Sequence, residues 1–107
     1  FLQDAIDVLK AHYEDEDYSL DKLAKDLLVS RTQLYRKLKM LINTTPNDFI
    51  TNYRMQQAEK MLKSSNQTIS EIITKCGFRN RAFFYREFAR QHNCSPKDFR
   101  NKKEMTN

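Results

Sequence analysis

The sequence predicts an all-α protein made of two copies of one helical unit, and three observations lead to this prediction. One Gly and two Pro in 107 residues leave little material for the turns of a β-sheet. Apolar residues recur at helical spacing along most of the chain. The segment NTTPNDF at residues 43–49 returns as NCSPKDF at residues 93–99. A chain that repeats one helix start in this way is expected to repeat the helices around it.

The first half contains three predicted helices. Residues 2–13 have the pattern of an amphipathic helix, and the acidic run at residues 14–17 is expected to form a solvent-exposed segment after it. Ser19 is the expected N-cap of a short second helix, and Ser30 is the expected N-cap of a third. The inward-facing residues predicted for these helices are Leu2, Ala5, Ile6, Leu9 and Tyr13, then Leu20, Leu23, Ala24 and Leu27, and then Leu34, Leu38 and Leu41.

A longer helix is predicted to begin at the first copy of the repeated segment. Thr45 is its expected cap, and Pro46 takes the first helical position, where its missing N–H costs nothing. Asp48 then lies near the positive end of the helix dipole. The polar residues 64–67 end the helix, which therefore approaches twenty residues.

The second half repeats this order of elements. Thr68 is the expected cap of a short helix, and a longer basic helix follows at RNRAFFYREFARQH. Ser95 and Pro96 then open a further helix. The two copies align with an offset of 49 residues in the short helix and 50 in the longer one. The second copy therefore has one extra residue in its turn.

Each unit has the layout of a helix-turn-helix, whose second helix enters a DNA major groove with its first residues at the base edges. Arg can bind guanine in bidentate fashion, Asn or Gln can bind adenine, and Tyr can reach phosphate or a thymine methyl group. The candidate residues are Arg31, Thr32, Gln33, Tyr35 and Arg36 in the first copy and Arg79, Asn80, Arg81, Tyr85 and Arg86 in the second. Core positions are expected at Leu34, Leu38, Phe83, Phe84 and Phe88, since aromatic residues at helical spacing usually pack inside. For Phe83 the alternative is a position that faces the groove.

The charge distribution favours a polyanionic partner. Residues 1–18 hold one Lys and six acidic residues, a net charge of −5, whereas residues 19–107 hold 18 basic and 8 acidic residues, a net charge of +10. Polar residues at a helix start are also common in other all-α proteins. The alternative is therefore a basic helical interaction module that meets an acidic partner without preference for a DNA sequence.

Other classes of function have little support in the sequence. Cys76 and Cys94 lie far apart without partners at metal-ligand spacing, and buried free thiols are expected rather than a disulfide. His12 and His92 also stand alone. We expect no cofactor, no metal and no enzyme activity, and the sequence has no apolar run long enough for a membrane span. The first residue, Phe1, suggests a piece of a longer protein.

Four segments carry a resemblance to a known family: YRMQQAEKML at 53–62, ISEIITKCGF at 69–78, FYREF at 84–88 and SPKDFR at 95–100. The chain resembles the DNA-binding domain of the AraC/XylS family of bacterial transcription regulators. The stretch SRTQLYRKLKMLINTTPNDFI is also similar to the output domain of hybrid two-component regulators from that family.

The resemblance implies a single domain of about seven helices, with two helix-turn-helix subdomains joined by a long linker helix. The first subdomain would occupy residues 1–45, the linker helix 46–63, and the second subdomain 64–107. Recognition helices at about 31–41 and 81–91 would enter successive major-groove segments. The implied partner is double-stranded DNA, with RNA polymerase contact and dimerisation through other parts of a cytoplasmic, DNA-associated parent protein.

The resemblance also assigns roles to individual residues. Family base-contacting positions fall on Arg31, Thr32, Tyr35 and Arg36, and on Arg81, Ala82, Tyr85 and Arg86, where Ala82 offers only a methyl contact. Arg54 has a second interpretation, in which it pairs with Asp48 or Glu59 and braces the linker helix. The expected phosphate contacts are Ser19, Lys22, Arg54, Thr68, Lys75, Arg79, Lys97 and Arg100.

Two departures from the family pattern lead to further expectations. Asn43 and Asn93 stand where the family has Gly, and Asn is the next most tolerant residue of the left-handed conformation that ends a helix. Ile73 replaces a small residue at a close approach between helices of the second unit. The added volume is expected to shift the second recognition helix slightly.

Overall fold

The computed structural model describes residues 1–102, and this part of the chain contains helices without any strand. The all-α prediction and the predicted order of helices are confirmed. The helices are α1 (Leu2–His12), α2 (Leu20–Asp26), α3 (Arg31–Ile42), α4 (Pro46–Ser64), α5 (Ile69–Lys75), α6 (Arg81–His92) and α7 (Pro96–Asn101).

Local side-chain bonds start most of these helices, as the sequence predicts. The hydroxyls of Thr45 and Ser95 accept bonds from the backbone N–H three residues further on. Ser30 and Thr68 form full capping boxes, in which the side chain of the third helical residue also accepts from the cap N–H. Ser19 is the exception. It lies at the N-cap of α2, but its hydroxyl receives no bond from the first turn, and only its carbonyl accepts, from Leu23 N–H at 3.0 Å.

The two repeated Asn residues end the recognition helices. Asn43 follows α3 with φ 51°, and Asn93 follows α6 with φ 56°, so both adopt the left-handed conformation. A short polar side chain tolerates this region better than most residues do. The expectation that Asn replaces Gly at both C-caps is confirmed.

The buried residues form two separate clusters, and α4 contributes to both. The first cluster joins α1, α2 and α3 to the start of α4 at Phe49 and Ile50. The second joins α5 and α6 to the rest of α4 at Met55, Ala58 and Leu62. Leu2, Ile6 and Leu9 pack on the first cluster, as expected. Each helix-turn-helix unit thus has its own core, and one long helix connects them.

Most of the predicted core is confirmed, with one correction at Leu41. Leu34, Leu38, Phe84 and Phe88 are fully buried, and Phe83 is half-buried against the second cluster. Leu41 was expected to face inward, but 49% of its surface is exposed. Its neighbours Met40 and Ile42 are also exposed, because the last turn of α3 extends beyond the residues that bury the helix.

The two cysteines are free thiols that differ in burial. Cys76 is fully buried, and burial raises the pKa of its thiol to about 11, so it stays protonated at neutral pH. Cys94 is half-buried, so the expectation that both thiols are buried is wrong for this residue. Ile73 is 1% exposed inside the second cluster, where it packs as a core residue.

Candidate nucleic-acid interface

The start of α3 presents its polar residues on the face opposite to the core. Leu34 and Leu38 are buried one turn apart, and Tyr35 and Arg36, which follow Leu34, lie exposed on the other side of the helix. The exposed face meets the N-termini of α2 and α4 in a surface concavity of about 660 Å³. Its lining consists of Leu20, Arg31, Thr32, Tyr35, Arg36, Thr45, Pro46 and Asn47. Four of the five base-contacting candidates in the first unit therefore share one surface.

Some of the base-contacting candidates in the first unit already form hydrogen bonds or ion pairs within the protein. The Arg31 Nε lies 2.9 Å from the Asp21 carboxylate, and both side chains are exposed. The Gln33 side-chain oxygen accepts the Ser30 N–H at 2.8 Å as part of the capping box. All five candidates are exposed, but Thr32, Tyr35 and Arg36 are not held in this way. Within residues 1–102 the Arg36 guanidinium has no hydrogen-bond or ion-pair partner.

The start of α6 repeats this arrangement. Phe84 and Phe88 are buried, and the exposed face carries Arg81, Ala82, Tyr85 and Arg86. The side chain of Asn80 accepts the Phe83 N–H at 2.9 Å, so its carbonyl oxygen caps the helix. Arg81 donates to the Ser70 hydroxyl at 3.1 Å.

The two recognition helices expose a tyrosine and an arginine at matching positions. Tyr35 and Tyr85 are 47% and 38% exposed, although large aromatic residues are usually buried. Arg36 and Arg86 follow them, and like Arg36, Arg86 makes no hydrogen bond or ion pair in the part of the chain that the structure describes. An exposed Tyr–Arg pair thus occurs at the same place on both recognition helices, fifty residues apart.

The guanidinium groups of Arg54 and Arg100 donate hydrogen bonds to backbone carbonyls of the protein itself. Arg54 donates to the backbone carbonyls of Tyr13 at 3.0 Å, Asp15 at 2.8 Å and Tyr18 at 3.3 Å. The expected pairing with Asp48 or Glu59 is therefore wrong, because the guanidinium points toward the α1–α2 loop. Burial lowers the pKa of Arg54.

Arg100 uses its guanidinium in a similar way at the end of α4. It donates to the carbonyls of Leu62 at 3.0 Å and Ser65 at 3.3 Å. Both Arg54 and Arg100 are half-buried. In this arrangement both arginines brace the fold. For Arg54 this is the bracing interpretation with different partners, whereas for Arg100 only a phosphate contact was predicted.

The remaining phosphate candidates lie at the surface. Lys22, Lys75 and Lys97 are exposed, whereas the Thr68 hydroxyl is used as a helix cap. Arg79 is exposed but forms ion pairs with Asp17 and, at 3.8 Å, with Glu16. Of the basic candidates for phosphate binding, the three lysines have no ion-pair partner in the described part of the chain.

The sequence reasoning missed the turns that set the two recognition helices. Leu28 in the first turn has φ 60°, and Gly77 in the second has φ 83°. The two residues are 49 positions apart, which is the offset of the short helices, so aligning the repeats would have found them. The single glycine of the chain was the available signal.

We also searched the described residues for a membrane-spanning helix and for a metal-ion site. No helix in residues 1–102 has the length and apolarity needed to cross a membrane. Nor does this range contain a group of three or more His, Cys, Asp or Glu side chains placed to hold a metal ion.

Comparison with known proteins gives matches along most of the chain. A family model for a helix-turn-helix domain matches residues 23–102. Histidine kinase P4 of Formosa agariphila is 30% identical over 101 residues, which cover 94% of this chain and 7% of that protein. The transcriptional activator RhaS of Escherichia coli O139:H28 is 32% identical over 92 residues, which cover 86% of this chain and 33% of RhaS.

Solved structures show the same fold. A transcriptional regulator from Chromobacterium violaceum, with an AraC-type DNA-binding domain, superposes with a TM-score of 0.88 at 27% identity, covering 99% of this chain and 94% of that one. The DNA-binding domain of the transcription factor AdpA, in complex with a target DNA, has a TM-score of 0.84 at 25% identity, with coverage of 92% and 88%. The chain thus spans nearly all of these domains but a third or less of the two full-length relatives.

Proposed function

This chain belongs to the AraC-type helix-turn-helix family of DNA-binding transcription regulators, and from this premise we propose that it binds a two-part site in double-stranded DNA. The N-terminal turns of α3 and α6 read one part each, in successive segments of the major groove. The first unit lies within residues 1–45 and the second begins near residue 64. The complex of AdpA with its target DNA supports this proposal, because that domain has the same fold.

The observation that carries the proposal is the repetition of an exposed Tyr–Arg pair. A free Arg at the start of a recognition helix suits the bidentate acceptors of guanine, and an exposed Tyr suits phosphate or a thymine methyl. Within residues 1–102, Arg36 and Arg86 make no hydrogen bond or ion pair, and the exposed Tyr35 and Tyr85 adjoin them. The other candidates for base contacts are Thr32 and Gln33 in the first unit and Asn80 and Arg81 in the second, with Ala82 offering a methyl contact.

The size and charge of the molecule support two contacts on one face of a duplex. Its longest extent is 43 Å, which accommodates two recognition helices separated by one helical turn, about 34 Å. The exposed Lys22, Lys75 and Lys97 supply positive charge for the phosphate backbone. Arg31 and Arg79 join them only when phosphates displace the carboxylates that hold them.

We also propose that this domain is the DNA-binding output of a longer regulator. Its relatives include a histidine kinase and a transcriptional activator, and the chain covers a minor part of each. A hybrid two-component regulator that dimerises through other segments and contacts RNA polymerase is consistent with both. Transcription in vitro by the parent protein, from a promoter carrying the selected site, tests this. Equal transcript yield with and without the regulator would contradict it.

Selection of bound duplexes from a random DNA pool tests the proposed function. Roughly physiological salt should be used, because it weakens attraction that depends on charge alone. We expect enrichment of a two-part site with its halves about one helical turn apart. Binding without any enriched sequence would instead support the basic interaction module, and the proposed DNA readout would be wrong.

Arg36→Ala and Arg86→Ala are each expected to relax base preference in one half of that site, by about 1–3 kcal/mol of discrimination. The reason is loss of a bidentate contact that the wrong base cannot form. Affinities for the selected duplex and for single-base variants measure the effect. Lys39→Ala and Arg90→Ala, further along the same helices, are the controls and should leave base preference unchanged. Equal weakening on all duplexes would show that the two arginines bind phosphate.

A further inference from the structure

The two helix-turn-helix units contact each other at a small junction around the α1–α2 loop. We call residues 13–18 the acidic loop, since four of its six side chains are acidic. Arg54 lies in the middle of α4, between the two cores, and its guanidinium binds three backbone carbonyls of this loop. The rings of Tyr13 and Tyr53 meet edge to face at 5.5 Å in the same region. The acidic loop is therefore anchored to the connecting helix.

The second unit approaches the same loop through its turn. A Cβ atom on Gly77 would lie 2.1 Å from the Tyr13 carbonyl oxygen and 2.9 Å from Arg54 Nε. The backbone of the second turn is thus in close contact with the end of the acidic loop. Leu28, at the matching position of the first turn, is 91% exposed. Among residues 1–102, the close contact is therefore a feature of the second copy of the repeat.

The extra residue of the second copy adds a charged contact at this junction. Aligning Leu28 with Gly77 and Ser30 with Asn80 leaves Arg79 as the inserted residue. Arg79 forms ion pairs with Asp17 and Glu16 of the acidic loop. Its chain neighbour Asn80 is the N-cap of α6. The inserted residue thus connects the first unit to the start of the second recognition helix.

The rest of the boundary at this point is open. A cleft of about 210 Å³ lies there, lined by Glu16 from the first unit, by Thr51 and Arg54 from α4, and by the second turn and the start of α6. The two cores share no buried residue across it. Within residues 1–102, the side-chain hydrogen bonds and ion pairs between residues 1–45 and residues 64–102 lie at this junction, where Arg79 meets Asp17 and Glu16.

Resting on the proposed DNA binding, we propose that the pairing of Arg79 with the acidic loop determines which spacing between half-sites the protein accepts. Moving one half-site by a base pair displaces it by about 3.4 Å and rotates it by roughly 35° around the duplex. To follow it, α6 must move relative to α3. The pairing next to Asn80 opposes that motion, so Arg79 and Asp17 are positioning residues for the second recognition helix.

Two similar ion pairs allow a matched test. Asp17 pairs with Arg79 across the units, whereas Asp21 pairs with Arg31 inside the first unit, and all four side chains are mostly exposed. Asp17→Asn and Asp21→Asn each remove one negative charge and release one Arg beside a recognition helix. Only Asp17→Asn removes a contact between the units. Arg79→Gln removes the same contact from the other side.

The measurement is affinity for duplexes that carry the two selected half-sites at the preferred spacing and at spacings one or two base pairs shorter or longer. We expect Asp17→Asn and Arg79→Gln to reduce the preference for the best spacing by about two- to fivefold, the size that an exposed ion pair can contribute. Asp21→Asn should change affinity by the same factor at every spacing. Thermal unfolding of each variant shows that the fold is retained.

The outcomes separate this inference from the proposed function. Asp17→Asn and Arg79→Gln could instead change the affinity by the same factor at every spacing, as is expected of Asp21→Asn. In that case the junction does not determine spacing, and the inference is wrong while DNA binding stands. If the unmodified protein selects no two-part site, the proposed function fails first, and the inference fails with it. If affinity depends less on spacing in Asp17→Asn and Arg79→Gln but not in Asp21→Asn, the result supports both the proposed function and this inference.

Discussion

Replacement of Gly77 by Ala is expected to lower the free energy of unfolding by about 2–5 kcal/mol. Two costs add at this position. A residue with a side chain at φ 83° occupies the left-handed region, at about 1–2 kcal/mol. The new Cβ atom would also lie 2.1 Å from the Tyr13 carbonyl oxygen, so the acidic loop or the turn must move, at about 1–3 kcal/mol more. Denaturant unfolding of the two proteins measures the difference.

Leu28→Gly is the matched control for this prediction. Leu28 has φ 60° in the first turn and is 91% exposed, so it has the left-handed backbone without the close contact. Glycine there removes the conformational cost but adds flexibility to the unfolded chain. We expect a change between zero and a gain of about 1 kcal/mol. If Gly77→Ala costs no more than about 1–2 kcal/mol, the left-handed backbone alone accounts for it and the close approach to Tyr13 is not rigid.

Arg54→Ala is expected to destabilise the fold by about 2–4 kcal/mol, since charged hydrogen bonds to the carbonyls of Tyr13, Asp15 and Tyr18 are lost together. Arg54 is half-buried, so water can only partly replace those bonds. Unfolding in urea measures the loss. Lys60→Ala, at an exposed position on the same helix, is the control and should change stability by less than about 0.5 kcal/mol.

Arg54→Lys separates the charge of Arg54 from its geometry. A lysine keeps the positive charge but lacks the planar fork that reaches several carbonyls at once. We therefore expect it to recover only part of the loss. An Arg54→Ala protein as stable as the unmodified one, with weaker DNA binding at every sequence, would contradict the bracing function and restore Arg54 to the phosphate contacts.

The junction also affects how much positive surface the protein offers to DNA. The acidic residues at the start of the chain look at first like a feature opposed to DNA binding. In the structure their loop binds Arg54 through its carbonyls and Arg79 through two carboxylates. Two of the six basic residues named as phosphate candidates, Arg54 and Arg79, are thus held by the acidic loop. The basic surface available to DNA is therefore smaller than the net charge suggests.

Much of the candidate interface could be predicted from the sequence, because it depends on local periodicity. Exposure of Tyr35 and Arg36 follows from the burial of Leu34 and Leu38 on the opposite face of one helix. The same pattern predicts the exposure of Tyr85 and Arg86. Leu41 fits the inward pattern equally well and is nevertheless half-exposed, because a helical stripe shows which face is apolar but not how far the neighbouring helices extend along it.

The sequence by itself determined the elements whose bonds lie within a few residues of each other. The caps at Ser30, Thr45, Thr68 and Ser95 and the left-handed Asn ends are of this kind, and the repeat identified two units with one inserted residue. Only the tertiary structure decided the partners of Arg54 and Arg79, which lie 36 to 63 residues away along the chain. Such contacts depend on how the two cores are placed along α4, and no local pattern of residue types encodes that placement.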